Sequence, residues 1–149
     1  MPQPNVVVFD SNVLIPLILP ASLSTGLFDR LESARWSVAA TPQILDEVRD
    51  KLLQSASLRK WLQLSDQEID EFVVSDLPVK VTLTPGHVQA RGAVPTDADD
   101  DMIIAAAIEA DASYIITEDK DLLTLGQYKG IVIMTRREFA DELDRLGVP

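Results

Sequence analysis

The chain has no cysteine and one histidine in its 149 residues. Without thiols there is no disulfide frame, no thiolate nucleophile and no thiolate metal site. Positive charge is scarce as well: 13 Lys and Arg face 24 Asp and Glu, a formal net charge of −11. That excess argues against a generic polyanion binder, which carries a basic face. It suits a chain that holds cations or meets a basic partner. Long apolar runs are missing too. The stretch "VLIPLIL" is short, interrupted by Pro16 and preceded by Asp10 instead of a basic region. Neither a signal peptide nor a membrane span is expected there, and the default expectation is a cytoplasmic chain with no membrane partner.

What is present describes an ordinary globular protein, with 46% hydrophobic and 25% charged residues. The length suits one domain over residues 1–149 and is too short for two. Apolar runs at 5–9 ("NVVVF"), 36–40 ("WSVAA"), 79–83 ("VKVTL"), 114–117 ("YIIT") and 131–134 ("IVIM") read as buried strands. Between them, residues 23–34 read as a helix. Thr41-Pro42 opens another, with Pro at the first helical position and Ile44, Leu45, Val48 and Leu52 on one face. Ser65 with Glu68, and Thr135 with Glu138, are capping boxes that each start a helix. The segment 84–96, rich in Gly and Pro, is a connector that carries His87 and Arg91. Uniformly apolar strands alternating with helices predict an α/β fold, a mostly parallel sheet covered on both faces. Functional groups of such folds lie beyond the carboxyl ends of the strands.

The stretch "DADDDMIIAAA" places four carboxylates at 97–101, directly before seven apolar residues. Helix starts favour acids, and Thr96 or Asp97 suits the N-cap. At about 100° per residue, Asp101 shares a face with Ile104, Ala105 and Ile108, whereas Asp99 points the opposite way and Asp100 to the side. Asp101 is therefore expected to face the core edge, where a carboxylate is costly unless paired or on a metal. Asp10 ends the first strand and Asp119 follows "YIIT" by two residues, so both reach the same sheet edge. Glu47 flanks the apolar face of its helix, and it also stands i,i+4 from Lys51, the spacing of an ordinary surface pair. Carboxylates gathered in low dielectric repel unless a cation joins them. Oxygen donors without Cys or His suit Mg2+ (or Mn2+) and not zinc.

The motifs "VVFDSNVLI", "TPQILDEV", "DADDDMIIAAAIEADASYIITEDKDLL" and "GIVIMTRREF", with "LSDQEIDEF" between them, stand in an order that resembles the PIN-domain family. The likeness is to its prokaryotic branch of toxin components from toxin–antitoxin systems, and it covers nearly the whole chain. The resemblance implies a Rossmann-like three-layer sandwich with a mostly parallel central sheet. It further implies a metal-dependent endoribonuclease that hydrolyses phosphodiester bonds of single-stranded or structured RNA, an antitoxin protein as partner, and a homodimer as a further association. The four acids of the family fall on Asp10, Glu47, Asp101 and Asp119. Asp10 and Asp101 then contact metal, Asp119 does so directly or through water, and Glu47 positions water or metal. Supporting positions fall on Asn12, Thr117 and Asp97, while Lys120 and Arg91 are the candidate RNA contacts. Two other readings compete. A PIN-fold module that binds RNA or protein without cleaving would not need the full acid set. A haloacid-dehalogenase-like phosphatase needs a second Asp two residues after the first, where this chain has Asn12.

Overall fold

The computed structural model describes residues 3–18, 25–86 and 98–149. Strand β1 (Gln3–Phe9) runs into helix α1 (Ser11–Ile18), followed by α2 (Thr25–Ser33) and β2 (Ser37–Ala40). Helices α3 (Pro42–Gln54), α4 (Ala56–Leu62) and α5 (Asp66–Glu71) come next, then a π-helical turn (Phe72–Asp76), α6 (Leu77–Lys80) and β3 (Thr82–Leu83). The remainder is α7 (Ala98–Glu109), β4 (Ala112–Ile116), α8 (Lys120–Leu125), β5 (Gln127–Tyr128), β6 (Ile131–Met134) and α9 (Arg136–Arg145). The six strands form one sheet in the order β3-β2-β1-β4-β6-β5. Every pairing is parallel except β5 with β6.

Strand β1 lies in the middle, and Val6, Val7, Val8 and Phe9 are all buried. Burial of consecutive residues means that both faces of the strand are covered. On one side Phe139 of α9 packs edge-on against Phe9 and meets Trp36 and Tyr114 at ring separations of 5.7 and 5.6 Å. Helix α7 lies against β1, β2 and β4 and also touches α3. The chain moves outward from β1 to β2 and β3, then returns to the opposite side of β1 for β4. The reversal makes the gap between β1 and β4 the topological switch point, where open α/β sheets place their ligands.

Two of the sequence expectations change here. Residues 79–83 do not form a five-residue strand; only Thr82 and Leu83 pair with β2, and 77–80 are helical. Ile69, Val73, Leu77 and Val81 are all buried. That i,i+4 series carries the helical period through the β-branched stretch and overrides its local strand preference. Leu83 is left 47% exposed on the sheet edge. The second change concerns α7, in which Ile103, Ile104, Ala105, Ala106 and Ala107 are buried in succession and Ile108 is half-buried. Five neighbouring buried residues span several faces, so burial does not single out the face of Asp101. Asp101 itself is half-buried.

Three of the expected helix starts, at Thr41, Ser65 and Thr135, are present with their caps. Thr41 Oγ1 accepts from Ile44 N–H, and both capping boxes are complete. In α9 the Thr135 backbone N–H donates to the Glu138 carboxylate at 3.0 Å. That bond, with the Thr135 side chain, holds the Glu138 carboxyl below its ordinary value. A lowered acid contributes stability above its unfolded pKa and loses it as pH falls through the folded value. Wild type should therefore melt slightly above Glu138→Gln near neutrality. The gap should close between about pH 5 and pH 3, and a gap independent of pH in thermal melts would refute this account of the cap.

Candidate active site

Asp10 follows β1 directly and is 3% exposed. Its backbone N–H donates to Ile116 O across the β1/β4 gap, and its carbonyl accepts from Val13 and Leu14 N–H at the start of α1. The residue thus joins the central strand to a helix and has no freedom to swing outward. Each carboxylate oxygen is met by a hydroxyl. Thr117 Oγ1 donates to Oδ2 at 2.8 Å, and Ser11 Oγ lies 3.4 Å from Oδ1. Among the described residues no ammonium or guanidinium pairs with Asp10.

Thr117 is fully buried beyond the end of β4. Its hydroxyl also accepts from Asp119 N–H at 3.0 Å. An amide N–H only donates, so the Thr117 hydroxyl proton has one direction left, toward Asp10. Asp119 is the N-cap of α8, its carboxylate accepting from Asp121 N–H at 2.8 Å. Asp10, Thr117 and Asp119 are therefore one hydrogen-bonded unit at the switch point.

Glu47 reaches this unit indirectly. It pairs with Lys51 at 3.0 Å, as the i,i+4 spacing suggests. The same ammonium donates to Ser11 Oγ at 2.7 Å and to Asn12 Oδ1 at 2.9 Å. Lys51 thereby ties α3 to the residues that follow Asp10, a role that its sequence neighbourhood does not reveal. The only available signal was the i,i+4 spacing, which pointed to a surface pair. Both partners are instead partly buried, with side chains 34% and 26% exposed.

Asp101 stands in the first turns of α7. Lys120 is exposed at the start of α8 beside Asp119. Arg91, Asp97, His87 and Thr96 lie outside the described residues, as do the side chains of Asp99 and Asp100. Among the described residues no three Asp, Glu, His or Cys side chains gather closely enough to hold a metal ion. The donor chemistry nevertheless fits a hard cation. Asp10 is a buried acid with, among the described residues, hydroxyl side-chain partners only, and burial of a carboxylate charge is costly until a cation meets it. Mg2+ is commonly held by one or two carboxylates and keeps several waters.

The family model described as PIN domain matches residues 6–121. Among curated proteins no sequence matches the chain. Among solved structures the chain is similar to VapBC2 from Rickettsia felis bound to a DNA fragment from their promoter. That likeness has a TM-score of 0.56 at 10% identity, over 86% of this chain and 96% of the other. It is a likeness of fold.

Proposed function

The chain belongs to the PIN domain family, and on that premise we propose that it is a metal-dependent endoribonuclease, the toxin component of a toxin–antitoxin system. The observation that carries the proposal is the Asp10 carboxylate. It is buried at the switch point, held by two hydroxyls and without a cation partner among the described residues.

Asp10 would hold Mg2+ or Mn2+; Asp101 and Asp119, the further ligands of this reading, do not gather with it into a three-acid cluster, so waters on the ion would bridge to them. A bound divalent ion supplies a more acidic water and neutralises charge on the phosphate. The chain's own groups fix the geometry. Thr117 keeps Oδ2 of Asp10 in place, and Asp119 N–H keeps the Thr117 proton pointing there. Lys51 holds Ser11, Asn12 and Glu47 together on the other side, and Glu47 positions water. Lys120, exposed beside Asp119, would contact phosphate; Arg91 and Asp97, outside the described residues, are the further candidates for a phosphate contact and for support of the acid set. Attack of water on phosphorus forms one P–O bond as the bond to the 3′ oxygen breaks. The products are a 5′-phosphate and a 3′-hydroxyl, the attacking water giving up one proton and the leaving 3′ oxygen taking one up.

The net charge of −11 favours a basic antitoxin segment that covers the acids. Among the described residues no helix is long and apolar enough to cross a membrane. A second reading, a module that binds without cleaving, is favoured by the Lys51 ammonium already seated on Glu47. One assay separates the two. Wild type should cleave single-stranded RNA with Mg2+ or Mn2+ and stop with EDTA, and Asp101→Asn should cleave far more slowly. Persistent cleavage in EDTA by protein free of contaminating nuclease rejects the metal mechanism. No cleavage with any divalent ion leaves the binding module.

A further inference from the structure

A cleft of about 440 Å³ opens beside the acid site, lined by Asn12, Ile15, Lys51, Gln54, Ser55 and Leu58. Its volume lies in the range of about 300–1,000 Å³ that small-ligand sites occupy. The lining is unusual for this chain. Asp and Glu supply 24 of 149 residues, yet among the described residues none of the six that line the cleft is acidic. The ammonium of Lys51 is directed to Ser11, Asn12 and Glu47, so what Lys51 adds to the wall is its alkyl stem. Stem, Ile15 and Leu58 make apolar surfaces, while Asn12, Gln54 and Ser55 bring neutral hydrogen-bonding groups. Asn12 Oδ1 accepts from the ammonium, which leaves its NH2 as a donor.

Flat apolar faces with a neutral polar edge describe a nucleobase. The cleft also adjoins the acid site, because Asn12 and Lys51 line it and Ser11 links Lys51 to Asp10. We propose that this cleft is the base-binding subsite for the nucleotide adjoining the scissile phosphodiester. The proposal rests on the nuclease reading for the identity of its ligand, but not for the geometry of the cleft. The excess negative charge of the chain repels an RNA backbone, and a neutral pocket for the base is a means of attachment that this charge does not oppose.

The test uses the full chain, 15N-labelled, in EDTA, titrated with each of the four nucleoside 5′-monophosphates and, as controls, with ribose 5-phosphate and inorganic phosphate. At least one nucleotide should shift the side-chain amides of Asn12 and Gln54 and the backbone amides of Ser55 and Leu58, and neither control should do so. Leu58→Trp fills the cleft and should weaken that nucleotide on the order of tenfold or more, about 1.4 kcal/mol. Gln54→Ala, at an exposed position, should weaken it less and guards against a misfolded Trp variant. Equal shifts from ribose 5-phosphate, shifts confined to other surfaces, or unchanged affinity in both variants overturn the subsite. RNA cleavage by wild type with Mg2+ is measured in parallel. Base binding without any cleavage would sink the nuclease reading and leave the cleft a nucleotide-binding site with no scissile bond beside it. Cleavage with the same KM in wild type and Leu58→Trp would do the reverse.

Discussion

Asp10→Asn should reduce RNA cleavage to that of the buffer blank while raising the melting temperature of the metal-free protein. The two effects have one cause. Asp10 is a buried acid with, among the described residues, no cation beside it. Asn has the same shape and no charge. Its Oδ1 accepts from Thr117 as Oδ2 does now, and its NH2 faces Ser11 Oγ. The substitution therefore removes a desolvation cost and keeps the Thr117 bond, and it gives up only the long contact at 3.4 Å in which the Ser11 hydroxyl, already accepting from Lys51, donates to the carboxylate. Metal linkage runs the other way. Wild type should gain stability as RT ln(1 + [L]/Kd), about 2.7 kcal/mol when Mg2+ stands at 100 times its Kd. The variant should gain little. Thermal titrations with Mg2+, with and without EDTA, read both effects. A variant that responds to Mg2+ as wild type does would remove Asp10 from the ligand set, and one that melts well below wild type in EDTA would contradict the cost assigned to its charge.

Asp10 was legible in the sequence because an apolar strand that ends abruptly in Asp has few structural reasons to do so. The caps were legible for a similar reason, since Thr41-Pro42 and the two capping boxes are complete within four residues. Other features depend on partners far away in the chain. Helix α1 holds β-branched Val13 and Ile15 together with Pro16, and local propensity reads against it. It forms because the Asp10 carbonyl accepts its first N–H groups while Val13, Leu14 and Ile15 are buried. Lys51 meets Ser11 and Asn12 across 40 and 39 positions, so spacing displayed only its bond to Glu47. The strand expected at 79–83 failed because the helical stripe before it was longer than the window that suggested a strand. The order of motifs supported the family, whereas the unit of Asp10, Thr117 and Asp119 needed coordinates to be seen.

That unit leads to the second large effect. Thr117→Val keeps the shape of the side chain and replaces the hydroxyl with a methyl group. Two buried or partly buried groups lose their partner together: Asp10 Oδ2, which accepts from Thr117, and Asp119 N–H, which donates to it. An orphaned polar group costs about 1–3 kcal/mol, and more when it is charged, so the variant should be destabilised by roughly 2–5 kcal/mol at neutral pH. Thr117→Ser keeps both bonds and loses one buried methyl, for a cost of about 1 kcal/mol. The order wild type, Ser, Val in urea unfolding separates a hydrogen-bonding role from a packing role, because packing alone would make Val the better replacement. The same order should hold for metal affinity, since removal of a group that orients a ligand typically costs about 10–100-fold. A Val variant as stable as Ser would mean that water satisfies Asp10 without Thr117. One that is destabilised yet binds metal like wild type would mean that Thr117 supports the fold and leaves the ligand's orientation to other groups.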